Sequence, residues 1–396
     1  MKGYLTMSPE GTRDYLFEES RARTCVEETL AGAFSSRAFC RVVTPTLEFF
    51  DLFAADCVGF SAEEVYKLVD RKGRVLALRA DSTAPIARLT ATKLREEALP
   101  IRLYYSQPVF KVSPQHSAQY DEVMQCGVEL IGASAQESDL EVLALAASTL
   151  RRFSEKFRLE IGHIGFFQAV MDDFPIDAET KEEIRRLAER RDFAVLYERL
   201  REYRDYPAYE VLAQLPRLFG GAEVLERARG LIASDRCRAI LDYISGVYAA
   251  LKQIHPDDDV IIDLGLVHRN DYYTGILVRG YIENMGEAVL SGGRYDTLLA
   301  NFGAPLAAIG FGVNVDLLTR HVLGGAHRPR VRADVLVAAG EAQAAPALRH
   351  AEQLASAGLV VESAVLPDRA AAQRYAEERG IGRVEFIGAD SPAGKG

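Results

Sequence analysis

At 396 residues the chain is longer than the roughly 150 of an average domain, so two or three domains with a sizeable core are expected. Its composition, 48% hydrophobic and 26% charged, is that of a globular protein, and no apolar run approaches the roughly 20 residues of a membrane span. A formal net charge of −10 puts nucleic-acid binding at a disadvantage, because phosphate contact relies on clustered Lys and Arg, although an acidic chain can still carry one basic face.

The stretch Met1 to Glu10 has neither an apolar core nor a small-residue cleavage site, which points to the cytoplasm. Cys25, Cys40, Cys57, Cys126 and Cys237 are scattered and form no C-x-x-C pair, so buried free thiols are expected rather than disulfides or a zinc ribbon. The histidines are equally dispersed, and neither a metal nor a cofactor is expected.

Along the chain, Val26, Leu30, Ala33 and Phe34 lie at helical spacing and predict a helix over residues 20 to 37. The run Arg41 to Pro45 then reads as a strand broken by proline. Val65 to Val69 and Val75 to Leu78 flank Asp70-Arg71-Lys72-Gly73, a hairpin composition. Ile101 to Tyr105, Gln107 to Val112 and, after a polar loop, Gly127 to Gly132 read as further strands, and antiparallel sheet is the leading expectation. Residues 137 to 155 carry a broad apolar helical face. From about 175 to 255 the composition turns to Glu, Arg, Leu and Ala, with Asp177 placed to cap a helix, and a helical insertion is expected. Val260 to Leu266 returns the chain to sheet. A Gly, Pro and Arg-rich stretch from Gly324 to Arg330 reads as a linker, so a main domain over 1–325 is followed by a small α/β domain over 331–396 with a glycine-rich end. The fold class is α+β.

Four polar stretches stand out: Leu78 to Arg88, Tyr120 to Gly132, Asn270-Asp271-Tyr272-Tyr273-Thr274-Gly275, and Ser291-Gly292-Gly293-Arg294-Tyr295-Asp296. Each alone has an ordinary reading. Asp81 and Thr83 suit the cap of a helix starting near Ala84, Tyr272-Tyr273 suit a sheet edge, and Gly292-Gly293 suit a tight turn. Taken together, the signatures Asn270 to Gly275 and Ser291 to Asp296, lying between hydrophobic strand-like runs, read as an amino-acid pocket.

In this order and spacing the stretches resemble the class II aminoacyl-tRNA synthetases, specifically the histidyl branch, over most of residues 9 to 318, beginning with Pro9-Glu10-Gly11-Thr12-Arg13-Asp14. The resemblance implies a class II antiparallel sheet flanked by helices, a dimer formed through a first motif matched by Thr44-Pro45-Thr46-Leu47-Glu48, and histidine bound by Asp81, Thr83, Gln125, Glu129, Tyr273 and Tyr295, with Asp81 in place of the more usual Glu. Carboxylates and an amide oxygen suit an ammonium and an imidazole N–H, and the tyrosines offer a wall and a hydroxyl. The chain departs from the family where ATP would be handled. Lys111 stands for the Arg after the Phe of the second motif, with Ser113 and Pro114 for the acidic and basic residues beyond it. His268 stands for a histidyl-specific Arg, with Arg269 one position on, and Leu317 for the Arg of the third motif in Gly310 to Leu318. Loss of one pre-organised donor typically costs about 2.7 to 4 kcal/mol at the transition state, so activation of histidine is expected to be crippled. A histidine pocket without an ATP site, and a shortened anticodon-like domain, resemble the regulatory subunits of ATP phosphoribosyltransferase. That implies a short-form catalytic subunit as partner and histidine as effector in histidine biosynthesis, with the chemistry in the partner. The alternative is a divergent histidyl-tRNA synthetase or histidine-adenylating enzyme.

Overall fold

A computed structural model describes residues 3–54, 58–112, 120–172, 174–232, 234–267, 272–324 and 333–388. They fall into two compact units, one of residues 3–14 and 22–324, the other of 15–21 and 333–388. The first helix runs Phe17–Ser35 and buries the expected Val26, Leu30, Ala33 and Phe34. The strand expected over 41–45 shortens to β1 (Cys40–Arg41). Val42 still donates its N–H to the Tyr104 carbonyl of the neighbouring strand at 2.8 Å, but from Thr44 the backbone bonds to side chains: the Thr44 N–H donates to Gln107 Oε1 at 3.2 Å, and the Thr44 and Pro45 carbonyls accept from Arg79 at 2.8 and 2.9 Å.

β2 (Leu47–Phe49), β3 (Lys67–Val69) and β4 (Val75–Leu78) form a small antiparallel sheet in the order β2-β4-β3. Asp70 closes its hairpin by accepting from the Lys72 and Arg74 N–H groups at 2.8 and 2.9 Å, and Gly73 takes a φ of +76°. The register sets Leu47, Phe49, Leu68, Leu76 and Leu78 on one face. Leu47, Phe49 and Leu68 remain 47%, 49% and 42% exposed, while Glu48 and Ala77 on the other face are buried.

β5 (Ile101–Phe110) and β6 (Glu122–Ile131) form a long antiparallel pair. The two strands expected before the polar loop are one, and Pro108 sits inside it. That is tolerated because β1 pairs only with Leu103 and Tyr104, so no strand lies against β5 at Pro108 to need its N–H, and Arg79 instead donates to the Pro108 carbonyl. β7 (Phe157–His163), β8 (Phe219–Gly220), β9 (Asp259–Asp263), β10 (Ile276–Ile282), β11 (Leu290–Tyr295) and β12 (Ala308–Asn314) complete a nine-stranded sheet in the order β1-β5-β6-β12-β11-β10-β7-β9-β8. The sheet is mixed rather than purely antiparallel. β1 with β5 and β7 with β9 are parallel, each pair joined by a long crossover. The crossover between β7 and β9 is the helix-rich segment, where Asp177 caps Ala178–Glu189 by accepting from the Thr180 N–H at 2.9 Å; β8 returns from it to the sheet edge.

In the second unit β13 (Val335–Ala339), β14 (Val361–Val365) and β15 (Arg383–Ile387) run parallel in the order β14-β13-β15. Alternation along β13 sends Val335, Val337 and Ala339 against Ala347 and Ala351 of one helix, and Leu336 and Ala338 against Ala372 and Ala376 of another, so the two helices cover opposite faces. The linker stretch beyond Gly324 and the glycine-rich end lie outside the described residues.

Among the described residues no helix is long and apolar enough to cross a membrane. Cys126 and Cys237 are buried thiols, whereas Cys25 and Cys40 are exposed, contrary to expectation; Cys57 lies outside the described residues.

Candidate functional site

In the first unit a cavity of about 130 Å³ opens over the middle of the large sheet, and Asp81, Thr83, Gln125, Glu129, Tyr273 and Tyr295 all line it. Asp81 and Thr83 arrive at the start of helix Thr83–Lys93, Gln125 and Glu129 from one face of β6, Tyr295 from the end of β11, and Tyr273 from the segment before β10. Tyr105, Lys111, Tyr272, Ser291 and the Gly310-Phe311-Gly312 stretch of β12 complete the lining. None of these is among the pocket residues expected from the sequence, although Tyr272 and Ser291 lie within its polar signatures. Tyr105 could have been found only from register, which pairs it with Gly127.

Glu129 is buried at the centre. Its Oε1 accepts from the Thr83 hydroxyl at 2.8 Å and its Oε2 from the Tyr295 hydroxyl at 2.6 Å. Burial pushes its carboxyl up to about 7, against the pull of those two hydrogen bonds. Asp81 does cap the helix, its Oδ1 accepting from the Ala84 N–H at 3.1 Å, but its buried Oδ2 has no hydrogen-bond partner. Burial raises the Asp81 carboxyl as well, opposed chiefly by the charge of Lys111. Burial likewise raises the phenols of Tyr105, Tyr272, Tyr273 and Tyr295, so each stays a neutral hydroxyl at physiological pH. Neither Tyr272-Tyr273 nor Gly292-Gly293 takes its ordinary reading. Tyr272 is buried, its ring edge-on to Tyr295 at 5.6 Å, and the glycines lie inside β11.

The glycines of β12 make room for the polar side chains of β6. A Cβ at Gly310 would lie 1.9 Å from Glu129 Oε2, and one at Gly312 would lie 2.6 Å from Gln125 Nε2. Alternation along β11 turns Ser291 and Tyr295 toward the cavity and Arg294 away from it. Arg294 instead donates to Asp139 Oδ1 and Ser138 Oγ at 2.7 Å each, so within the Ser291 to Asp296 signature it is an anchor of the scaffold.

A second cleft, of about 350 Å³, adjoins the cavity through Lys111, Gln125, Ser291 and Gly312. Leu317 lines it as an apolar wall, with Asp121, Glu287 and Asp316 as carboxylates and Lys111 and Arg320 as cations. Carboxylates and a leucine are poor company for a triphosphate. Ser113, Pro114, His268, Arg269, Asn270 and Asp271 lie outside the described residues.

Comparison with known proteins agrees with this geometry. A family model described as histidyl-tRNA synthetase matches residues 11–318. The chain is 36% identical over 378 residues to an ATP phosphoribosyltransferase regulatory subunit of Clostridium kluyveri, covering 94% of this chain and 97% of that one. It is 36% identical over 314 residues to a protein of the same name from Clostridium acetobutylicum, covering 78% and 77%. Among solved structures, an ATP phosphoribosyltransferase regulatory subunit/histidyl-tRNA synthetase from Bacillus halodurans C matches with a TM-score of 0.85 at 28% identity, covering 97% of this chain and 99% of that one. A histidyl-tRNA synthetase from Nostoc sp. PCC 7120, with a TM-score of 0.78, 20% identity and coverage of 95% and 90%, shares the fold. The chain belongs to the family of ATP phosphoribosyltransferase regulatory subunits, built on the class II fold of histidyl-tRNA synthetase.

Proposed function

We propose that this chain is a non-catalytic histidine sensor. It joins a separate short-form catalytic subunit of ATP phosphoribosyltransferase in the cytoplasm, activates it, and inhibits it at the first step of histidine biosynthesis when histidine fills the cavity. The observation that carries the reading is the convergence of Asp81, Thr83, Gln125, Glu129, Tyr273 and Tyr295 on one small cavity beside a cleft walled by Leu317. Aspartate Oδ2 and glutamate are acceptors for an ammonium and an imidazole N–H, and the phenols enclose a flat ring. Adenylation, by contrast, needs cations fixed at the phosphates, and a leucine supplies none. Two copies of the chain pair through the exposed apolar face of β2-β4-β3, which contains Leu47 of the first motif.

Such control is a coupling between the cavity and the partner surface, typically about 1 to 3 kcal/mol, or about 5- to 150-fold in affinity. The test is the phosphoribosyltransferase activity of the short catalytic subunit from the same source, alone and with this chain, across a histidine titration. Activation reversed by histidine is expected. No change in rate at any histidine concentration would refute the reading, and histidine-dependent exchange of pyrophosphate into ATP would favour an adenylating enzyme. Glu129→Ala should weaken inhibition at least about tenfold while leaving activation in place, since it removes a buried acceptor and leaves the Thr83 and Tyr295 hydroxyls without their partner. Equal loss of both would sink the separation of sensing from activation.

A further inference from the structure

Arg294, turned away from the cavity, ties β11 to the start of helix Gln136–Arg151. Asp139 Oδ1 and Ser138 Oγ accept from it at 2.7 Å each, and the Ala133 carbonyl just before that helix accepts at 3.1 Å. Asp139 is only 2% exposed, and its second oxygen accepts from the Tyr243 hydroxyl. Tyr243 comes from helix Asp235–Ile254, the last helix of the crossover between β7 and β9. Burial and the neighbouring Asp139 carboxylate raise its phenol, so the hydroxyl stays a donor.

The backbone beside Arg294 joins the two segments that carry cavity tyrosines. The Arg294 carbonyl accepts from the Thr274 N–H at 2.9 Å, and the Asp296 N–H donates to the Thr274 hydroxyl at 3.0 Å. Tyr273 directly precedes Thr274, and Tyr295 lies between Arg294 and Asp296. Gly275 leaves the space that Arg294 fills, since a Cβ there would lie 2.9 Å from Arg294 Cδ.

From this chain of contacts we infer that Tyr243 is a positioning residue for the amino-acid cavity: through Asp139 and Arg294 it fixes the Tyr273 and Tyr295 walls relative to each other. The inference rests on the histidine-sensor reading and adds to it a determinant of affinity on the helix-rich crossover, at a residue that does not line the cavity. Without the Tyr243 hydroxyl, Asp139 keeps a buried oxygen that has lost its donor, and its carboxylate shifts to find another. Arg294 is bonded to the same carboxylate and follows it, and the junction with Thr274 follows Arg294. Tyr295 donates to Glu129 at 2.6 Å, so a displaced end of β11 alters the central acceptor of the cavity.

The experiment is calorimetric titration of the full chain with L-histidine, for the wild type, Tyr243→Phe, Tyr295→Phe, the double variant, and Val247→Ala one turn along the same helix. Tyr243→Phe should bind histidine about tenfold more weakly, within the roughly 2- to 30-fold that such networks transmit. In the Tyr295→Phe background the same change should cost about threefold or less, because the hydroxyl that Tyr243 helps to place is already gone. Val247 is buried and carries no polar group, so Val247→Ala loosens the helix by a cavity and should leave the affinity within about twofold of the wild type. An unchanged affinity in Tyr243→Phe, an equal loss in both backgrounds, or an equal loss in Val247→Ala would each overturn the positioning role and leave the sensor reading in place. A wild-type chain that does not bind histidine overturns the sensor reading itself and this assignment with it. Tyr243→Phe removes a single hydroxyl, so the variant is expected to fold, and urea midpoints check that each chain is folded under the titration conditions.

Discussion

Burial holds the Glu129 carboxyl at about 7, above the 4.5 of an exposed glutamate. Between those values the folded chain keeps a proton that the unfolded chain has released, so stability falls as pH rises through this window. Above it the full cost of a buried carboxylate, about 3 kcal/mol for a shift of this size, is present. Glu129→Gln removes the titration. Its stability relative to the wild type should therefore rise between pH 5 and pH 8 by up to about 3 kcal/mol, read from urea midpoints; a difference that does not change with pH would show that Glu129 does not titrate in this range. At this scale much of the cavity is legible in the sequence, because an acid, a hydroxyl and an amide in fixed order are chemical signals. At Asp81 the sequence offers a helix cap or a cavity carboxylate, and the two oxygens allow both, Oδ1 capping and Oδ2 lining. Tyr105 is not legible, because an aromatic in a strand has no mark of which neighbour it lies over. Nor is the position of Lys111 between two cavities, which depends on where β5 ends.

Among the elements, the trio β6, β12 and β11 does most to shape the site. Glu129 and Gln125 lie flat across β12 only because positions 310 and 312 carry no Cβ. In Gly310→Ala the methyl would collide with Glu129 Oε2 and with the Val128 carbonyl oxygen, 2.3 Å away. The variant is expected to lose about 1 to 3 kcal/mol of stability to overpacking and to bind histidine at least about tenfold more weakly. Wild-type affinity in Gly310→Ala would mean that the glutamate need not lie where it does. The helix Phe17–Ser35 is legible because Val26, Leu30 and Phe34 keep a helical period that burial then follows. β5 is legible only in pieces. Proline reads locally as a break, and the strand-free flank that tolerates Pro108 depends on how short β1 is. The parallel pairs at the flanks of the sheet are likewise set by long crossovers, which leave no trace in the alternation of a single strand.

For the molecule as a whole, the two units are each built round their own sheet, and every described residue of the cavity belongs to the first. The change of pattern after residue 331 is legible because strands and helices alternate there, as a parallel sheet with helices on both faces requires. The apolar face of β2-β4-β3 is less legible, because exposure of Leu47, Phe49 and Leu68 is a property of the folded surface. A contiguous apolar face of this kind marks an interface. On the proposed pairing, the wild type should sediment as a dimer and the double variant Leu47→Asp, Phe49→Asp as a monomer at the same concentration, since two carboxylates would be desolvated in each copy. An unchanged mass would place the pairing surface elsewhere.

Leu78 belongs to that outer face, Asp81 lines the cavity, and Arg79 lies between them. The Arg79 guanidinium is buried and donates to the carbonyls of Thr44, Pro45 and Pro108, so any movement of it would break several buried hydrogen bonds. The short segment from Leu78 to Asp81 is therefore a strut rather than a hinge. A push on one end arrives at the other with little slack to absorb it, and the surface where two chains would meet is mechanically part of the wall that would hold the ligand.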